Sequence, residues 1–400
     1  MEPEVQEVQE QLAQLSEQIG TPLKFNIYHD GTPVAEKGHY ITDALVLKLT
    51  QLDPRRLKFS REGLGRFETP EALRTFVDSE IREHVADLVF EAGISEDLTE
   101  AARLMAMRKV KEVFEACRYL TKLDLDAIAD LAIELIKRVS SLDTSAFKLH
   151  DLRHYDEYTY FHSVNVCVLG TTLFRDSVSS EQELLDFGIG LLLHDIGKSK
   201  VDLKILNKPS ELSQDESYIM RRHVIYGYNL VKANKNLSEV SKNIILNHHE
   251  RINGTGYTRG LMELQQSFFD MAAAICDVFD ALTTHRSYRS KVDVHRAVSV
   301  LISGSGSQFN TRLVNMFLRG IGRFPVGTFV LLSNGEIGVV CRINTTALAL
   351  PVIKVLFDAD GDRLAQPRTI DLYDERTVYI DKPLDMHTFT PAPTATLAGA

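Results

Sequence analysis

Residues 187–201 have the sequence FGIGLLLHDIGKSKV, an apolar helical run that ends in a His-Asp pair, a glycine and a lysine. The run predicts a buried helix, and Gly197 predicts a C-cap from which Lys198 projects. Adjacent helical residues diverge by about 100°, so His194 and Asp195 would hold one metal ion from two sides. The second carboxylate oxygen of Asp195 would be free to bridge to another ion. A solvated lysine at a helix end is an equally good interpretation of this segment alone.

More histidines and aspartates occur in an ordered series around this pair. The other members of the series are His162, His223, His248, His249 and Asp277. Successive members are separated by roughly the length of a helix, a loop and part of the next helix, a spacing that allows ligands from several helices to converge inside a bundle. The mixture of imidazole and carboxylate groups favours Fe or Mn, with Zn or Ni as alternatives, over Cu(I) or a sulfur cluster.

Three motifs resemble those of the HD-GYP family, a branch of the HD phosphohydrolases. They are HDIGK at residues 194–198, HHERINGTGY at 248–257 and DVFDALTTHRSYR at 277–289. The similarity covers roughly residues 145–325. The resemblance implies an enzyme with a helical HD fold, a phosphodiesterase that hydrolyses the bacterial second messenger cyclic di-GMP to pGpG, GMP or both. A metal-bridged hydroxide would be the nucleophile.

The resemblance also implies roles for individual residues. The expected ligands of one metal are His162, His194, Asp195 and Asp277, and those of the second are His223, His248 and His249, with Asp195 as the bridge. Asp195 and Lys198 are the expected catalytic residues. The expected substrate contacts are Lys198, Tyr257, Arg286 and Arg289. Asp280 is expected to orient the ligands through hydrogen bonds.

General chemistry agrees with these roles. A phosphodiester is anionic and its alkoxide leaving group is poor, so hydrolysis needs charge neutralisation and a strong nucleophile. Two metal ions provide both, because they lower the pKa of a bridging water and hold the phosphate oxygens. Lys198 and the arginines would add electrostatic stabilisation where charge builds up. Arg286 and Arg289 stand three residues apart just past a helix, so both could face one pocket.

Two positions depart from the family pattern. Some members hold a third metal through a glutamate four residues before the first histidine, but Tyr158 occupies that position here and Glu157 lies one residue away. Two divalent metal ions per chain are therefore predicted. The family's GYP motif is Gly-Tyr-Thr here, and Thr258 adds an N–H donor and leaves the loop less rigid. This change argues against docking onto GGDEF proteins.

Two other functions remain open. The chain could be a sensor that binds a cyclic dinucleotide with little turnover, although the intact ligand series argues for an enzyme. It could also be an HD phosphohydrolase acting on another cyclic dinucleotide or a nucleotide. The extended loop at residues 248–257 and the paired arginines favour a dinucleotide as substrate.

The apolar periodicity predicts a mainly α chain, with a helical HD-domain bundle between a small α/β N-terminal module and a small β-rich C-terminal module. Asn334-Gly335 and Asp360-Gly361 predict hairpins in the latter. No chemistry is evident in the helical connector. The predicted segments are 1–66 (N-terminal module), 67–144 (connector), 145–324 (catalytic domain), 325–383 (β-rich module) and 384–400 (disordered tail).

Composition limits the classes of partner. A hydrophobic fraction of 44% and a charged fraction of 25% are typical of a soluble globular protein. The net charge of −10 argues against bulk nucleic-acid binding. Four scattered cysteines without a CxxC pair, a polar N-terminus and short apolar runs predict a cytoplasmic protein without a membrane segment. A heptad-like stripe over residues 5–19 fits either a helix on the protein body or a homodimer contact.

Overall fold

A computed structural model describes most of the chain. The described residues are 12, 15, 21–23, 26–29, 32–35, 39–52, 57–60, 70–91, 100–120, 123–140, 158–284, 292–375 and 377–386. They form two compact units, the first drawn from residues 1–94 and 327–386 and the second from residues 95–326. In the described residues, no helix has the length and apolar character needed to cross a membrane.

The first unit contains two antiparallel sheets and short helices. Its strands are β1 (Asn26–His29), β2 (Thr32–Ala35), β3 (Leu57–Ser60), β4 (Phe329–Leu332), β5 (Ile337–Arg342), β6 (Val352–Phe357), β7 (Arg363–Asp371) and β8 (Ile380–Pro383), and its helices are α1 (Asp43–Thr50), α2 (Pro70–Phe76) and α3 (Val85–Glu91). The strand orders are β2-β1-β3 and β7-β6-β5-β4-β8. Both predicted C-terminal hairpins are present, with Gly335 and Gly361 at positive φ in their turns.

Residues far apart in the sequence meet inside this unit. The Tyr379 hydroxyl donates to the Leu23 carbonyl over 2.8 Å, and the rings of Phe76 and Phe357 are 5.2 Å apart between centroids. In the stripe near the N-terminus, Leu12 is buried in the same hydrophobic cluster as Leu23. The amino-terminal segment and the C-terminal sheet thus belong to one unit, while the segment boundaries given above remain predictions.

The second unit is a helical bundle. Its helices are α4 (Glu100–Leu120), α5 (Leu125–Ser140), α6 (Tyr158–Leu173), α7 (Glu181–Leu193), α8 (Leu203–Leu206), α9 (Gln214–Arg221), α10 (His223–Val231), α11 (Glu239–Asn247), α12 (Phe268–Thr283), α13 (Val294–Gly304) and α14 (Thr311–Ile321). Helix α6 is apolar on nearly every face, so it is buried at the centre, where it packs against α4, α5, α7 and α12. The predicted mainly α chain with a β-rich C-terminal part is confirmed.

Helix α7 approaches α11 closely because Gly190 lies between them. A Cβ atom at Gly190 would stand 2.6 Å from Ile244 Cδ1 and 3.0 Å from Ser241 Cα. Serine caps fix where these helices begin, since Ser180 accepts from the Glu183 N–H at the start of α7. The carboxyl ends of α7 and α11 therefore come together inside the bundle.

Candidate metal centre

The seven predicted ligand residues lie on five helices and helix ends. His162 is in α6, His194 and Asp195 follow α7, and His223 begins α10. The pair His248-His249 follows α11, and Asp277 is in α12. All seven side chains are buried. The fold therefore gathers in its interior every residue of the ordered series found in the sequence.

The gathered side chains form two groups. The first contains His162, His194 and Asp277, and the second contains Asp195, His223, His248 and His249; within each group the donor atoms lie within 4.8 Å of one another. In the first group, His162 Nε2 is 3.0 Å from Asp277 Oδ1. In the second group, the Nε2 atoms of His223 and His248 are 3.3 Å apart. These separations suit one cation in each group.

Asp195 faces both groups, one with each carboxylate oxygen. Its Oδ2 atom is 3.4 Å from His194 Nε2 and 3.7 Å from His162 Nε2. Its Oδ1 atom is 3.2 Å from His223 Nε2 and 3.9 Å from His248 Nε2. A carboxylate in this position can bridge two cations, as the sequence suggested for the residue after His194.

Three of the histidines are oriented by backbone carbonyls that lie close to them in the sequence. The Nδ1 atoms of His194, His223 and His248 donate to backbone carbonyls three or four residues earlier, at 2.7, 2.8 and 3.1 Å. In its neutral form, each ring would then present the Nε2 lone pair to the centre. The lone pairs of His223 and His248 consequently face each other at 3.3 Å, an arrangement that a cation between them would stabilise.

Several buried acceptors in the centre also need a partner. Among the described residues, Asp195 Oδ1, Asp277 Oδ2 and His249 Nδ1 have no hydrogen-bond partner. A buried polar atom without a partner costs about 1–3 kcal/mol. Imidazole and carboxylate together suit divalent first-row metals, so the residues fit the expected cations. The two groups could therefore hold divalent metal ions.

The electrostatics of the centre favour positive charge. Burial would raise the pKa of Asp195, but the Lys198 ammonium group and His194 hold that pKa well below its usual range. Burial would lower the pKa of His162, but hydrogen bonds to Asp277 and Asp280 raise it to about 9. Burial holds the pKa of His248 well below its usual value, so its ring is the neutral form that binds metals.

Lys198 lies beside the bridging carboxylate. Its Nζ atom is 2.5 Å from Asp195 Oδ2, and it stands in a 3-10 segment, Ile196–Lys200, rather than after a helix cap. The predicted C-cap at Gly197 was wrong, because α7 ends at Leu193 and Gly197 is not left-handed. Gly197 is needed for close approach instead, since a Cβ atom there would stand 1.8 Å from the His223 carbonyl oxygen.

The predicted orienting residue Asp280 contacts His162. Asp280 Oδ2 accepts from His162 Nδ1 over 2.7 Å, and its Oδ1 accepts from Asn165 Nδ2 over 2.9 Å. Both contacts are buried. Asp280 therefore determines the direction in which the His162 ring presents Nε2.

The loop after His249 places Tyr257 against the centre. The Tyr257 ring stacks on the His249 ring, with centroids 4.7 Å apart and planes 26° apart. The Glu250 carboxylate shapes this loop, because it accepts from the backbone N–H groups of Arg259 and Leu261. Burial raises the pKa of the Tyr257 phenol, so its hydroxyl stays neutral.

Arg221 joins this stack and was missed in the sequence. Its guanidinium carbon is 5.3 Å from the centroid of the Tyr257 ring, within cation–π range. Its place two residues before His223 was the only sign of a role. The predicted contacts Arg286 and Arg289 lie outside the described residues, as do Glu157 and the side chain of Tyr158.

A helical bundle with buried His and Asp ligands around an HD pair defines an HD-domain protein. In agreement, residues 162–313 match the family model described as "HD domain", and residues 329–391 match "KOW domain associated with HD domain". The second match coincides with the C-terminal sheet. The fold, the site and the two family models therefore all indicate an HD-domain protein.

Proteins of this class from several bacteria are similar to the chain. A Pseudomonas aeruginosa protein named cyclic di-GMP phosphodiesterase is 34% identical over 70% of this chain and 68% of its own length. The Xanthomonas campestris cyclic di-GMP phosphodiesterase response regulator RpfG is 36% identical over 35% of this chain and 38% of its own. A Vibrio cholerae 3'3'-cGAMP-specific phosphodiesterase is 36% identical over 32% of this chain and 24% of its own length. The chain belongs to the HD-GYP family of metal-dependent phosphodiesterases.

Proposed function

We propose that the chain hydrolyses the phosphodiester bonds of cyclic di-GMP with the aid of two divalent metal ions, giving pGpG, GMP or both. The observation that carries this proposal is the placement of Asp195, whose two oxygens face two separate buried groups of histidines. A single metal site would leave one of those groups without a cation. Relatives named cyclic di-GMP phosphodiesterases support the choice of substrate.

The residues of the two groups would hold the ions. His162, His194 and Asp277 would hold one, His223, His248 and His249 the other, and Asp195 would bind both. When bound, two such ions supply a water of lowered pKa and positive charge for the phosphate oxygens. Fe or Mn is the proposed metal, with Zn or Ni as alternatives. Tyr158 supports two ions rather than three, because tyrosine replaces the glutamate expected of a third site.

The remaining side chains would bind and orient the dinucleotide. Lys198 now pairs with Asp195 at 2.5 Å, and a phosphate oxygen would offer the same ammonium group a second anionic partner. The stacked column of Arg221, Tyr257 and His249 offers a guanine base an aromatic and cationic edge. Arg286 and Arg289 remain proposed contacts to the same ligand.

Hydrolysis assays with the full chain test this proposal. Protein purified anaerobically and loaded with Fe(II) or Mn(II) should cleave cyclic di-GMP and lose that activity on chelation. A Lys198→Ala variant should lose most of the activity, while Lys232→Ala, an exposed lysine on the surface, should keep it. Tight binding without turnover would instead identify a sensor.

A comparison of substrates separates the remaining alternatives. Rates on cyclic di-GMP, 3'3'-cGAMP and mononucleotides would be measured under identical metal loading. Cyclic di-GMP should be cleaved fastest. Faster cleavage of 3'3'-cGAMP would reassign the chain to the specificity that one relative's name describes, and faster cleavage of mononucleotides would contradict the cyclic dinucleotide proposal.

Location and partners follow from the proposed substrate. Because cyclic di-GMP is a bacterial second messenger, the proposed activity would take place in the cytoplasm. Thr258 in the altered GYP motif argues against docking onto GGDEF proteins. Burial of Leu12 and Leu15 in the core of the first unit supports a helix on the protein body rather than a homodimer contact for the amino-terminal stripe, and sedimentation of the full chain would test this choice.

A further inference from the structure

Helix α4 reaches the metal centre through a series of side-chain hydrogen bonds. Arg103, on α4, donates from Nη1 to Asn165 Oδ1 over 3.1 Å. Asn165 donates from Nδ2 to Asp280 Oδ1 over 2.9 Å, and Asp280 Oδ2 accepts from His162 Nδ1 over 2.7 Å. All four side chains are buried. The series begins outside the HD-domain match at residues 162–313.

The two ends of the series determine how the Asn165 amide is turned. A guanidinium group can only donate hydrogen bonds, and a carboxylate can only accept them. The Asn165 oxygen must therefore face Arg103, and its nitrogen must face Asp280. A flipped amide would set its NH₂ group against the guanidinium and its oxygen against the carboxylate. Arg103 consequently fixes Asn165, and Asn165 fixes the carboxylate that orients His162.

The other end of α4 contacts the segment that follows the HD pair. Lys200 Nζ donates to the Cys117 carbonyl over 2.6 Å, and Arg118 Nη1 donates to the Val201 carbonyl over 3.4 Å. Helix α4 is thus hydrogen-bonded to two ligand-bearing parts of the bundle. A buried guanidinium group costs free energy unless it is well paired. Simple packing of α4 would not require one.

We propose that Arg103 is a positioning residue for the metal ligand His162, acting through Asn165 and Asp280. The inference rests on the metal occupancy in the proposed function and is independent of the substrate. Loss of a group hydrogen-bonded directly to a metal ligand typically costs about 10- to 100-fold in metal affinity, so the more distant Arg103 should cost up to about 10-fold. The loss should fall on the first group alone, because His223 and His248 are oriented by backbone carbonyls.

Titration of the metal-stripped full chain with Mn(II), followed by electron paramagnetic resonance, tests the proposal. The wild-type protein should bind two ions, and His162→Gln and His223→Gln identify which binding step belongs to which group. Arg103→Met should weaken, by up to about 10-fold, the binding step that His162→Gln removes. The other step should be unchanged. Arg103→Lys, which remains a donor only, should retain more affinity.

Three controls separate positioning from general loss of structure. Arg108→Met alters an exposed arginine on the same helix and should change neither step. Val110→Ala removes buried packing from α4 and should lower stability without selective loss of one ion. In an Asn165→Leu background, Arg103→Met should add no further loss, since both act through one series.

Several results would overturn the proposal. The first is normal Mn(II) binding by Arg103→Met. The second is that Val110→Ala, at the same unfolding free energy, weakens the same Mn(II) binding step as much as Arg103→Met does. The third is that the losses of Mn(II) affinity caused by Arg103→Met and Asn165→Leu simply add in the double variant. If Arg103→Met does not fold, Arg103→Lys and Asn165→Leu decide by the same criterion. Failure of the wild-type chain to bind Mn(II) would instead refute the proposed metal centre, so the two failures are distinguishable.

Discussion

The two histidine groups of the metal centre present similar donor atoms but are held in different ways. In the second group, His223 and His248 donate to backbone carbonyls three and four residues earlier in the chain. In the first group, His194 is also held by a backbone carbonyl, but His162 donates to Asp280, which lies 118 residues away in the sequence. A ligand held by a backbone carbonyl is oriented by a residue close to it in the sequence. His162 is oriented only when α6 and α12 are correctly packed.

This difference separates local from long-range control of one catalytic centre. Backbone carbonyls at a helix end come with the fold and cannot be removed by changing a side chain. A carboxylate partner can be lost by substitution or moved by a shift of its helix. The first group should therefore respond to changes outside the centre, and the second should resist them.

Removing the residue shared by both groups should have the largest effect. In Asp195→Ala, both groups lose the bridging carboxylate, so both metal ions and all hydrolysis above background should be lost. Metal analysis and a hydrolysis assay on the same sample measure this. Asp202→Ala, an exposed N-cap nearby, serves as the control. Retention of two ions by Asp195→Ala would contradict the bridging role.

Removing the carboxylate of Asp280 should distinguish the groups. Asp280→Ala deprives His162 of its Nδ1 acceptor and should weaken binding of one ion by about 10- to 100-fold. The second ion should bind normally because two of its ligands, His223 and His248, are oriented by backbone carbonyls. Stepwise metal titration measures both affinities. Equal weakening of the two steps would show that the groups are not held independently.

Adding a side chain at Gly197, which lies against the backbone of α10, should disturb the second group without changing a ligand. In Gly197→Ala, the new methyl group would meet the His223 carbonyl, so α10 must shift, with a loss of about 1–3 kcal/mol in unfolding free energy. Denaturant unfolding and metal titration measure the result. Gly320→Ala, where the nearest obstacle is a flexible leucine side chain, should cost less. Equal costs at the two positions would argue against this account.

The smallest effect should come from the substrate side of the second group. Arg221→Ala removes the guanidinium from the Tyr257 ring and should raise KM by about 2- to 30-fold with little change in metal content. Arg222→Ala is the matched control, because its guanidinium lies over Tyr226 instead. Steady-state kinetics on cyclic di-GMP compare the two. An unchanged KM for Arg221→Ala would remove Arg221 from the proposed substrate contacts.

The ligand residues could be predicted from the sequence because their chemistry restricts them. Imidazole and carboxylate side chains at helix-length gaps have few other reasons to occur together. Their partners could not be predicted in this way. Arg103 meets Asn165 across 62 residues of sequence, and such a pair leaves no periodic pattern. Arg221 likewise carries no pattern that distinguishes it from a solvated arginine.

For Gly197, the sequence suggested the wrong structural reason for a glycine. Gly197 after an apolar helix suggested a left-handed cap, but the structure requires glycine there for contact with the His223 carbonyl. Both causes select the same residue type, so the sequence alone does not separate them. By contrast, Asn334-Gly335 was correctly predicted as a hairpin turn, because β-rich runs on both sides of it form adjacent strands that a tight turn must join.

The sequence also could not predict which segments of the chain pack into the same compact unit. The β-branched runs in residues 325–383 predict strands but do not indicate what covers them. In the first unit, the described parts of residues 21–91 and the C-terminal sheet share one compact body. The order of the predicted modules along the sequence therefore does not show which segments fold together.

The hydrogen bond between Tyr379 and Leu23 joins residues 356 positions apart in the sequence. It can form only after the residues between them have been synthesised. At about 5–20 residues per second, a ribosome would need roughly 20 to 70 seconds to synthesise the chain between these two partners. The second unit, encoded between them, would already be complete. During that interval the amino-terminal segment would lack the C-terminal sheet that completes the first unit.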